Sequence, residues 1–442
     1  MDDRRARLRR RFLRLSALNV ASNLTVPVAS LVDTAMLGHL DEIRFLAGVA
    51  LAAVIFDYLY WAFGFLRMGT TGLVAMAEGR GDKDEAVRIF YRSAVVGLSI
   101  GTAALLLAPV LRELGFALLS GSAASEAVGR QYFNARILGA PAVFANLALA
   151  GYFIGTGKSG QALSMAIVQN IGNATLNVWF IWKLGWAAEG AGLAAMASQY
   201  LASLVGTIAF VAGRPPLRQR DLFSRAGFTT LFRLNGELFI RTLSMLTVFA
   251  LFTNLSALGG EAQLAAFAIL IRILTAGAYI IDGAAFALES LVGGLWHERR
   301  YDDLAWLLRL ALTIGLGTAA LIALALAVAG PTVYAALTEH HDVIALSVRY
   351  QPWMLVTLGF GAIAWILDGL FIGLTWGKEL RRAALVSMAV FLPGALLAER
   401  GGGPHVLWAA FLLFTVARSV TLSWTWAYAF PAAGDEKHGS DL

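Results

Sequence analysis

The chain has 442 residues, of which 58% are hydrophobic and 14% charged, whereas soluble domains usually carry about 25% charged residues. This composition excludes an ordinary soluble protein, and the absence of cysteine excludes disulfides, thiol catalysis and cysteine-based metal sites. The net charge of +6 does not indicate nucleic-acid binding, because most Lys and Arg flank apolar blocks, where basic residues orient membrane helices.

Apolar blocks long enough to cross a bilayer, about 20 residues each, follow one another along the chain. The alternating polar positions of membrane strands are absent, so we predict an all-α membrane protein. The first block follows a basic N-terminal segment, here called the basic foot, and is too long for the apolar core of a signal peptide. We therefore interpret it as a retained helix. The twelve predicted transmembrane helices cover residues 14–38, 45–78, 86–110, 126–154, 160–183, 190–212, 229–258, 262–294, 303–328, 342–374, 379–398 and 405–430.

The two halves of the chain share short sequence motifs, here called words, at nearly constant separation. These are Leu-Ala at 46 and 264, GTAAL at 101 and 317, and Gly-x-Phe-Ile-Gly at 151 and 369. Because each half holds an even number of helices, the halves are predicted to be parallel repeats, as in alternating-access transporters. The predicted domains are a basic N-terminus (1–13), an N-lobe (14–212), a linker (213–228), a C-lobe (229–430) and a tail (431–442).

Basic residues also predict the orientation. If the N-terminus is cytosolic, that side collects most of the Lys and Arg that flank the helices. We therefore predict a multi-pass protein of the plasma (bacterial inner) membrane with both termini in the cytosol.

The stretch GYFIGTGKSG at 151–160 contains GTGKS, which resembles the phosphate-binding loop of ATPases. That loop needs a glycine five residues before Gly157, where this chain has Tyr152. We interpret the stretch as the cytosolic end of helix 4 and predict no nucleotide. The six histidines lie at predicted helix ends, in loops or in the tail, and we predict no metal site.

Asp33 lies in predicted helix 1, with no basic residue within a helical turn. A charged side chain at the bilayer centre costs about 2.5–3.5 kcal/mol, so ionisation of such a carboxyl is disfavoured and reversible protonation is favoured. Asp33 is therefore a candidate proton-coupling residue. The alternative is that it is solvated at the interface or hydrogen-bonds another helix structurally. The duplicated position is Leu251 or Asn254, and neither side chain titrates.

Predicted helix 5 carries three amides, Asn170, Asn173 and Asn177, on roughly one face. They can hydrogen-bond a neighbour such as Asp33, or they can serve helix packing alone.

The charged residues of the predicted C-lobe helices include a set of candidate functional residues: Glu237, Arg241, Arg272, Asp282, Glu289 and Asp368. Glu237 and Arg241 are four residues apart, so we expect them to pair within one helix. Part of the set is predicted to form a salt-bridge network, and part a cation-attracting or second protonatable site or a substrate site.

The aromatic stretch FDYLYWAFGFLRM in predicted helix 2 contains Tyr60, Trp61 and Arg67. These three are candidates for lining an N-lobe cavity that accommodates organic substrates. For most of the aromatic residues, membrane-interface belts and lipid-facing packing are the alternative.

The segments LTVPVASLVDTAMLGHL, FLRMGTTGLVAMAEGRGD, NGELFIRTLSM and IIDGAAFALESLVGG, with the Gly-x-Phe-Ile-Gly words, resemble the multidrug and toxic compound extrusion (MATE) transporters, specifically the DinF-type branch. The resemblance spans nearly the whole chain. It implies twelve helices in two six-helix lobes around a V-shaped cleft, and export of organic, often cationic compounds against protons or sodium.

By the same resemblance, Asp33 matches the helix 1 acid that such families protonate, and Asn173 matches its polar partner on helix 5. Asn177 stands where related members carry a second acid, so Asp33 is expected to titrate alone. Leu18 stands where relatives often have a proline, which leaves Pro27 as the proline of predicted helix 1.

We therefore predict a non-enzymatic antiporter that exports organic, cationic or amphiphilic compounds in exchange for protons. It needs no cofactor beyond the coupling ion, and its partners are small organic substrates and membrane lipid, with no nucleic acid and with the protein as a monomer. Sodium coupling and a lipid-linked precursor flippase are the alternatives within this class, and an intramembrane enzyme is the alternative from another class.

Overall fold

A computed structural model describes residues 2–38, 42–119, 122–213 and 222–429, apart from the side chains of residues 2, 26–35, 37, 38 and 43. In these residues the regular secondary structure is entirely helical. Half of the predicted linker (residues 214–221) and the whole predicted tail lie outside the described residues.

The helices of the first half are α1 (Asp2–Gly38), α2 (Ile43–Ala62), α3 (Phe65–Gly79), α4 (Lys83–Leu106), α5 (Ala108–Ala117), α6 (Ala123–Arg136), α7 (Ala140–Gly155), α8 (Ser159–Asn177) and α9 (Ala187–Gly213). A break between α2 and α3 interrupts predicted helix 2. A 3₁₀ turn, Ile137–Gly139, separates α6 from α7 within predicted helix 4.

The helices of the second half are α10 (Arg225–Ser256), α11 (Glu261–His297), α12 (Tyr301–Leu337), α13 (His341–Gly373), α14 (Gly377–Leu397) and α15 (Gly403–Ala429). Between α14 and α15, Gly401 and Gly403 have φ values of 101° and 78°, a backbone conformation that glycine adopts without steric cost. These glycines therefore end predicted helix 11 and redirect the chain into helix 12.

Nine spans within the described residues are long and apolar enough to cross a membrane. The ninth, Gly377–Ala429, contains both α14 and α15, while α1 and α8 fall outside the nine. The amides of α8 lower its mean hydropathy, and much of the apolar second half of α1 has side chains outside the described part of the chain. Each of the twelve predicted helices thus coincides with a described helix or with consecutive helical segments.

The contacts divide the chain into two compact units. One, here the second-half unit, contains Met1–Val20 and Gly236–Leu442, and the other, the first-half unit, contains Ala21–Asn235. Residues 14–20, which the sequence suggested for the N-lobe, group instead with the second half. The reason is the packing of α1 on α11, where Asn19 Nδ2 donates to the Gly283 carbonyl at 3.4 Å.

In the first-half unit, the word Gly-x-Phe-Ile-Gly brings α7 against α3. A Cβ on Gly151 would lie 2.8 Å from the Arg67 carbonyl oxygen, and one on Gly155 would lie 2.8 Å from that of Thr71. The two glycines are one turn apart and let the helix backbones touch, as small residues do between membrane helices.

In the second-half unit, the same word brings α13 against α11. A Cβ on Gly369 would lie 2.4 Å from the Ala285 carbonyl oxygen, and one on Gly373 would lie 2.4 Å from that of Glu289. The repeated word therefore marks the same helix contact in both units. GTAAL behaves differently, since Gly101 touches Pro141 whereas a Cβ on Gly317 would meet no atom within 4 Å.

We predict that Gly369→Ala destabilises the protein by about 1–3 kcal/mol, because an added methyl group must push the α11 backbone away. Gly359→Ala on the same helix is the matched control, since its Cβ would meet no atom within 4 Å. The control should be neutral or stabilising by up to about 1 kcal/mol, because alanine favours a helix. Thermal unfolding of both purified variants measures the difference, and equal melting temperatures would contradict the close-packing argument.

The GTGKS stretch is a junction between two helices. The helix α7 ends at Gly155, Gly157 has a φ of 71°, and α8 begins at Ser159. Lys158 Nζ donates to the Gly213 carbonyl at 3.2 Å, at the end of α9. This confirms the interpretation of the stretch as a helix end.

Candidate functional site

The coupling candidate Asp33 belongs to α1, but its side chain lies outside the described residues. Its backbone is part of one continuous helix from Asp2 to Gly38. A contact between Asp33 and the amides of predicted helix 5 therefore stays a prediction.

The amides of α8 form a buried polar pair. Asn177 Nδ2 donates to Asn173 Oδ1 at 3.1 Å, and the two residues are 1% and 7% exposed. Asn170 lies two turns before Asn177 on the same helix and is half-buried. Each of the two buried amides makes a further interaction in the structure.

A π-helical turn, Val178–Lys183, follows directly after Asn177. Single π turns are rare and occur frequently at functional sites, because they displace side chains from the regular helical register. The turn therefore makes the region of the amide pair a stronger functional candidate. A run of β-branched and aromatic residues does not by itself predict such a turn.

The three N-lobe cavity candidates lie in different environments. The Tyr60 ring packs among others, with its centroid 5.5 Å from that of Phe56 and 5.8 Å from that of Phe144. Its hydroxyl oxygen is buried. The Trp61 side chain is 46% exposed, and Arg67 is half-buried on α3.

In the second-half unit, Asp368 on α13 is the centre of a buried charge cluster. Arg241 on α10 and Arg418 on α15 both donate to Asp368 Oδ2. The three residues are between 3% and 6% exposed. The carboxylate and the two guanidinium groups form a buried cluster joined by charge-assisted hydrogen bonds, which are stronger than those between neutral groups.

The two acids of α11 extend this part of the unit. The charge of Asp282 acts electrostatically on Arg418. Glu289 lies two turns further along α11, and its side chain is fully buried. Both acids make further interactions in the structure, as does Arg241.

The expected pair between Glu237 and Arg241 is wrong. Glu237 Oε2 lies 2.9 Å from Arg381 Nη1 on α14, at ion-pair distance but without hydrogen-bond geometry. Arg241 instead donates to Asp368. Asp368 is buried and needs a cationic partner, because an uncompensated buried charge is strongly destabilising, whereas Glu237 already has the half-exposed Arg381 beside it. Arg272 occupies an exposed position on α11, and no ion pair joins it to another described residue.

Arg418 was missed by the sequence analysis. It is the one Lys, Arg, Asp or Glu between His405 and Ala429, in an otherwise apolar run. A single arginine at that depth is costly unless it is paired, so its presence alone indicates a buried acidic partner.

Comparisons with known proteins agree with this architecture. The MatE family model matches residues 20–179 and 238–397. DNA damage-inducible protein F of Escherichia coli (strain K12) is 32% identical over 414 residues, which cover 92% of this chain and 89% of the relative. Protein DETOXIFICATION 44, chloroplastic, of Arabidopsis thaliana is 27% identical over 418 residues, which cover 90% of this chain and 78% of that protein.

A solved structure of a MOP superfamily transporter from Pyrococcus furiosus has the same fold. Its TM-score is 0.86 at 20% sequence identity, and the match covers 95% of this chain and 96% of the other.

The second MatE match begins and ends 218 residues after the first. This is the separation of the Leu-Ala and Gly-x-Phe-Ile-Gly words, so the duplication is confirmed. The all-α membrane fold of two helical repeats and the DinF-type resemblance are confirmed as well. The chain therefore belongs to the MatE family, the multidrug and toxic compound extrusion transporters of the membrane.

Proposed function

We propose that this transporter exports organic compounds in exchange for protons, with Asp33 as the residue that binds the coupling proton. The carrying observation is the isolation of this acid in the sequence, where Asp33 is the one charged residue between Leu15 and Gly38. In an apolar membrane stretch the charged form of a carboxyl group is disfavoured, so binding of a proton is favoured.

The amide pair on α8 supports the same role. Asn173 and Asn177 are neutral and buried, so they offer hydrogen bonds to a carboxyl group without a fixed charge. A lysine or arginine in their place would hold the carboxyl ionised. Amides allow both protonation states, which a coupling residue must visit in each cycle.

The proposed cycle has three steps. Asp33 takes a proton from the outside, the substrate leaves to the outside, and release of the proton to the cytosol resets the carrier. The basic residues on the predicted cytosolic side support an orientation with both termini inside the cell. The family supports organic amphiphiles, including cationic ones, as the transported class.

Flux measurements in proteoliposomes test the coupling ion. Ethidium is added outside vesicles that contain the full chain, and either a proton gradient or a sodium gradient is imposed. We expect ethidium to accumulate when the lumen is acidic, and collapse of the gradient by a protonophore to stop it. Accumulation driven by sodium at equal pH, with no response to a proton gradient, would overturn proton coupling in favour of sodium coupling.

A further inference from the structure

Arg136, at the end of α6, is surrounded by aromatic rings of the first-half unit. Its guanidinium carbon lies 4.6 Å from the ring centroid of Phe56, 5.8 Å from that of Tyr60 and 5.6 Å from that of Tyr132. Cations at this distance are attracted to the faces of aromatic rings. The rings therefore fix the position of the guanidinium group.

Most of the hydrogen-bonding capacity of this guanidinium is left over. Within the described part of the chain, Arg136 makes one hydrogen bond, from Nη1 to Tyr132 Oη at 2.8 Å. A guanidinium carries five N–H donors, so several remain for another acceptor. The hydroxyl of Tyr60, whose ring lies beside the guanidinium, is buried and has no hydrogen-bond partner among the described residues. A buried hydroxyl without a hydrogen-bond partner is costly and is normally satisfied by a ligand or by water.

The helices that carry these groups form a close-packed pair. A Cβ on Gly48 of α2 would lie 2.5 Å from the Ser125 carbonyl oxygen of α6, so the two backbones touch. Arg136 lies ten residues after the start of predicted helix 4, about 15 Å along the helix. The site therefore lies at the predicted depth of the membrane, where Arg136 is half-buried.

One acid modifies the charge of this site. Asp57, exposed on α2, acts electrostatically on Arg136 but forms no ion pair with it. The acid reduces the net positive charge, so an anion is recognised here by directed hydrogen bonds more than by long-range attraction.

We propose that Arg136 and the Tyr60 hydroxyl bind the carboxylate of an aromatic amphiphile that this protein transports. A carboxylate matches the planar fork of a guanidinium with two parallel hydrogen bonds, and its single charge matches the single arginine. Of the surrounding rings, that of the half-buried Tyr60 provides apolar contact for the rest of the molecule, since Phe56 and Tyr132 are buried. The ligand's role as cargo rests on the proposed export function, whereas the binding itself does not depend on the coupling ion.

Equilibrium binding to the full chain tests the site without any gradient. The protein is placed in phosphatidylcholine nanodiscs at neutral pH, and the affinities of 2-naphthaleneacetate and its uncharged amide are measured by calorimetry. In Arg136→Gln we expect the affinity for the acid to fall about tenfold, because hydrogen bonds to a charged group are lost. The affinity for the amide should stay within a factor of about two.

Three further variants sharpen the test. Tyr60→Phe should lower the affinity for the acid about threefold, because one hydrogen-bond donor is removed. Asp57→Asn should raise that affinity, because a nearby negative charge is removed. Arg130→Gln is the matched control on α6, since Arg130 is already engaged by Glu113 at 2.5 Å. Hydrogen bonds from Arg130 and then Arg112 hold the pKa of the exposed Glu113 below its usual range. The control should leave the acid-to-amide ratio unchanged.

An unchanged acid-to-amide ratio in Arg136→Gln would overturn the proposal. If that variant does not fold, Arg136→Lys and Tyr60→Phe decide, and unchanged ratios in both overturn it. Phosphatidylglycerol that competes with the acid in wild type but not in Arg136→Lys would assign the site to a lipid phosphate and overturn the proposal as well. Asp33→Asn protein should bind the acid normally, so loss of coupling and loss of this site are distinguishable.

Discussion

In Asp33→Asn, we expect proton-driven accumulation of ethidium to fall to the level of protein-free vesicles. Asparagine has nearly the same size and keeps hydrogen-bonding capacity, but it cannot bind and release a proton. Because the second-half acids Asp368 and Glu237 have arginine partners, they are poorly placed to replace Asp33. The measurement is ethidium flux in proteoliposomes at a fixed proton gradient, with the amount of reconstituted protein matched between variants.

Two variants control this experiment. Asp3→Asn removes an acid from the same helix, where Asp3 pairs with Arg7 at 2.8 Å on the exposed basic foot, and it should transport at the wild-type rate. Asp33→Glu keeps a titratable group and should retain a measurable part of the flux. Transport at full rate by Asp33→Asn, driven by the proton gradient alone, would remove Asp33 from the mechanism.

Counterflow separates coupling from the alternating-access movement. Exchange of labelled for unlabelled substrate needs the movement but no net proton flow. We therefore expect Asp33→Asn to retain exchange at a rate within about tenfold of wild type, because the lobes and the substrate site are untouched. Loss of exchange together with loss of uphill transport would indicate that the residue serves the structure.

The helices and the duplication could be predicted from sequence because each depends on residues that are close together in the chain. An apolar block long enough to span a bilayer is a helix whatever its neighbours are, since lipid leaves the backbone no other partners. The word at Gly151 and Gly369 indicated a repeat, but its physical cause required the structure. In each unit the first glycine of the word packs against a carbonyl oxygen of another helix, that of Arg67 in one unit and that of Ala285 in the other.

The ion pairs could not be predicted in the same way. Glu237 and Arg241 have the spacing of a pair within one helix, yet each binds a residue far away in sequence. Arg241 and Asp368 are 127 residues apart, and Arg418 and Asp368 are 50 residues apart. Helical spacing shows which charges share a face, whereas the choice between partners depends on burial, which is a property of the assembled unit.

Asp368→Asn should be among the most destabilising single substitutions in the second-half unit. It leaves Arg241 and Arg418 buried beside each other, where their like charges oppose. Removing one partner of a buried ion pair usually costs about 3–5 kcal/mol, because a buried charge is left uncompensated. Thermal unfolding of the purified variant in detergent should show a correspondingly large fall in melting temperature.

Glu237→Gln is the matched comparison, because it also replaces an arginine-paired acid by its amide. Its partner Arg381 is 39% exposed and can be solvated after the change, so the expected cost is at most about 1 kcal/mol. Replacing Asp368, Arg241 and Arg418 together by Leu, Met and Met should recover part of the stability lost in Asp368→Asn, since the three charges that meet at Asp368 Oδ2 are removed together. If instead Asp368→Asn unfolds at the wild-type temperature while its transport loses dependence on the proton gradient, the cluster is a site of ion exchange and its arginines serve to tune it.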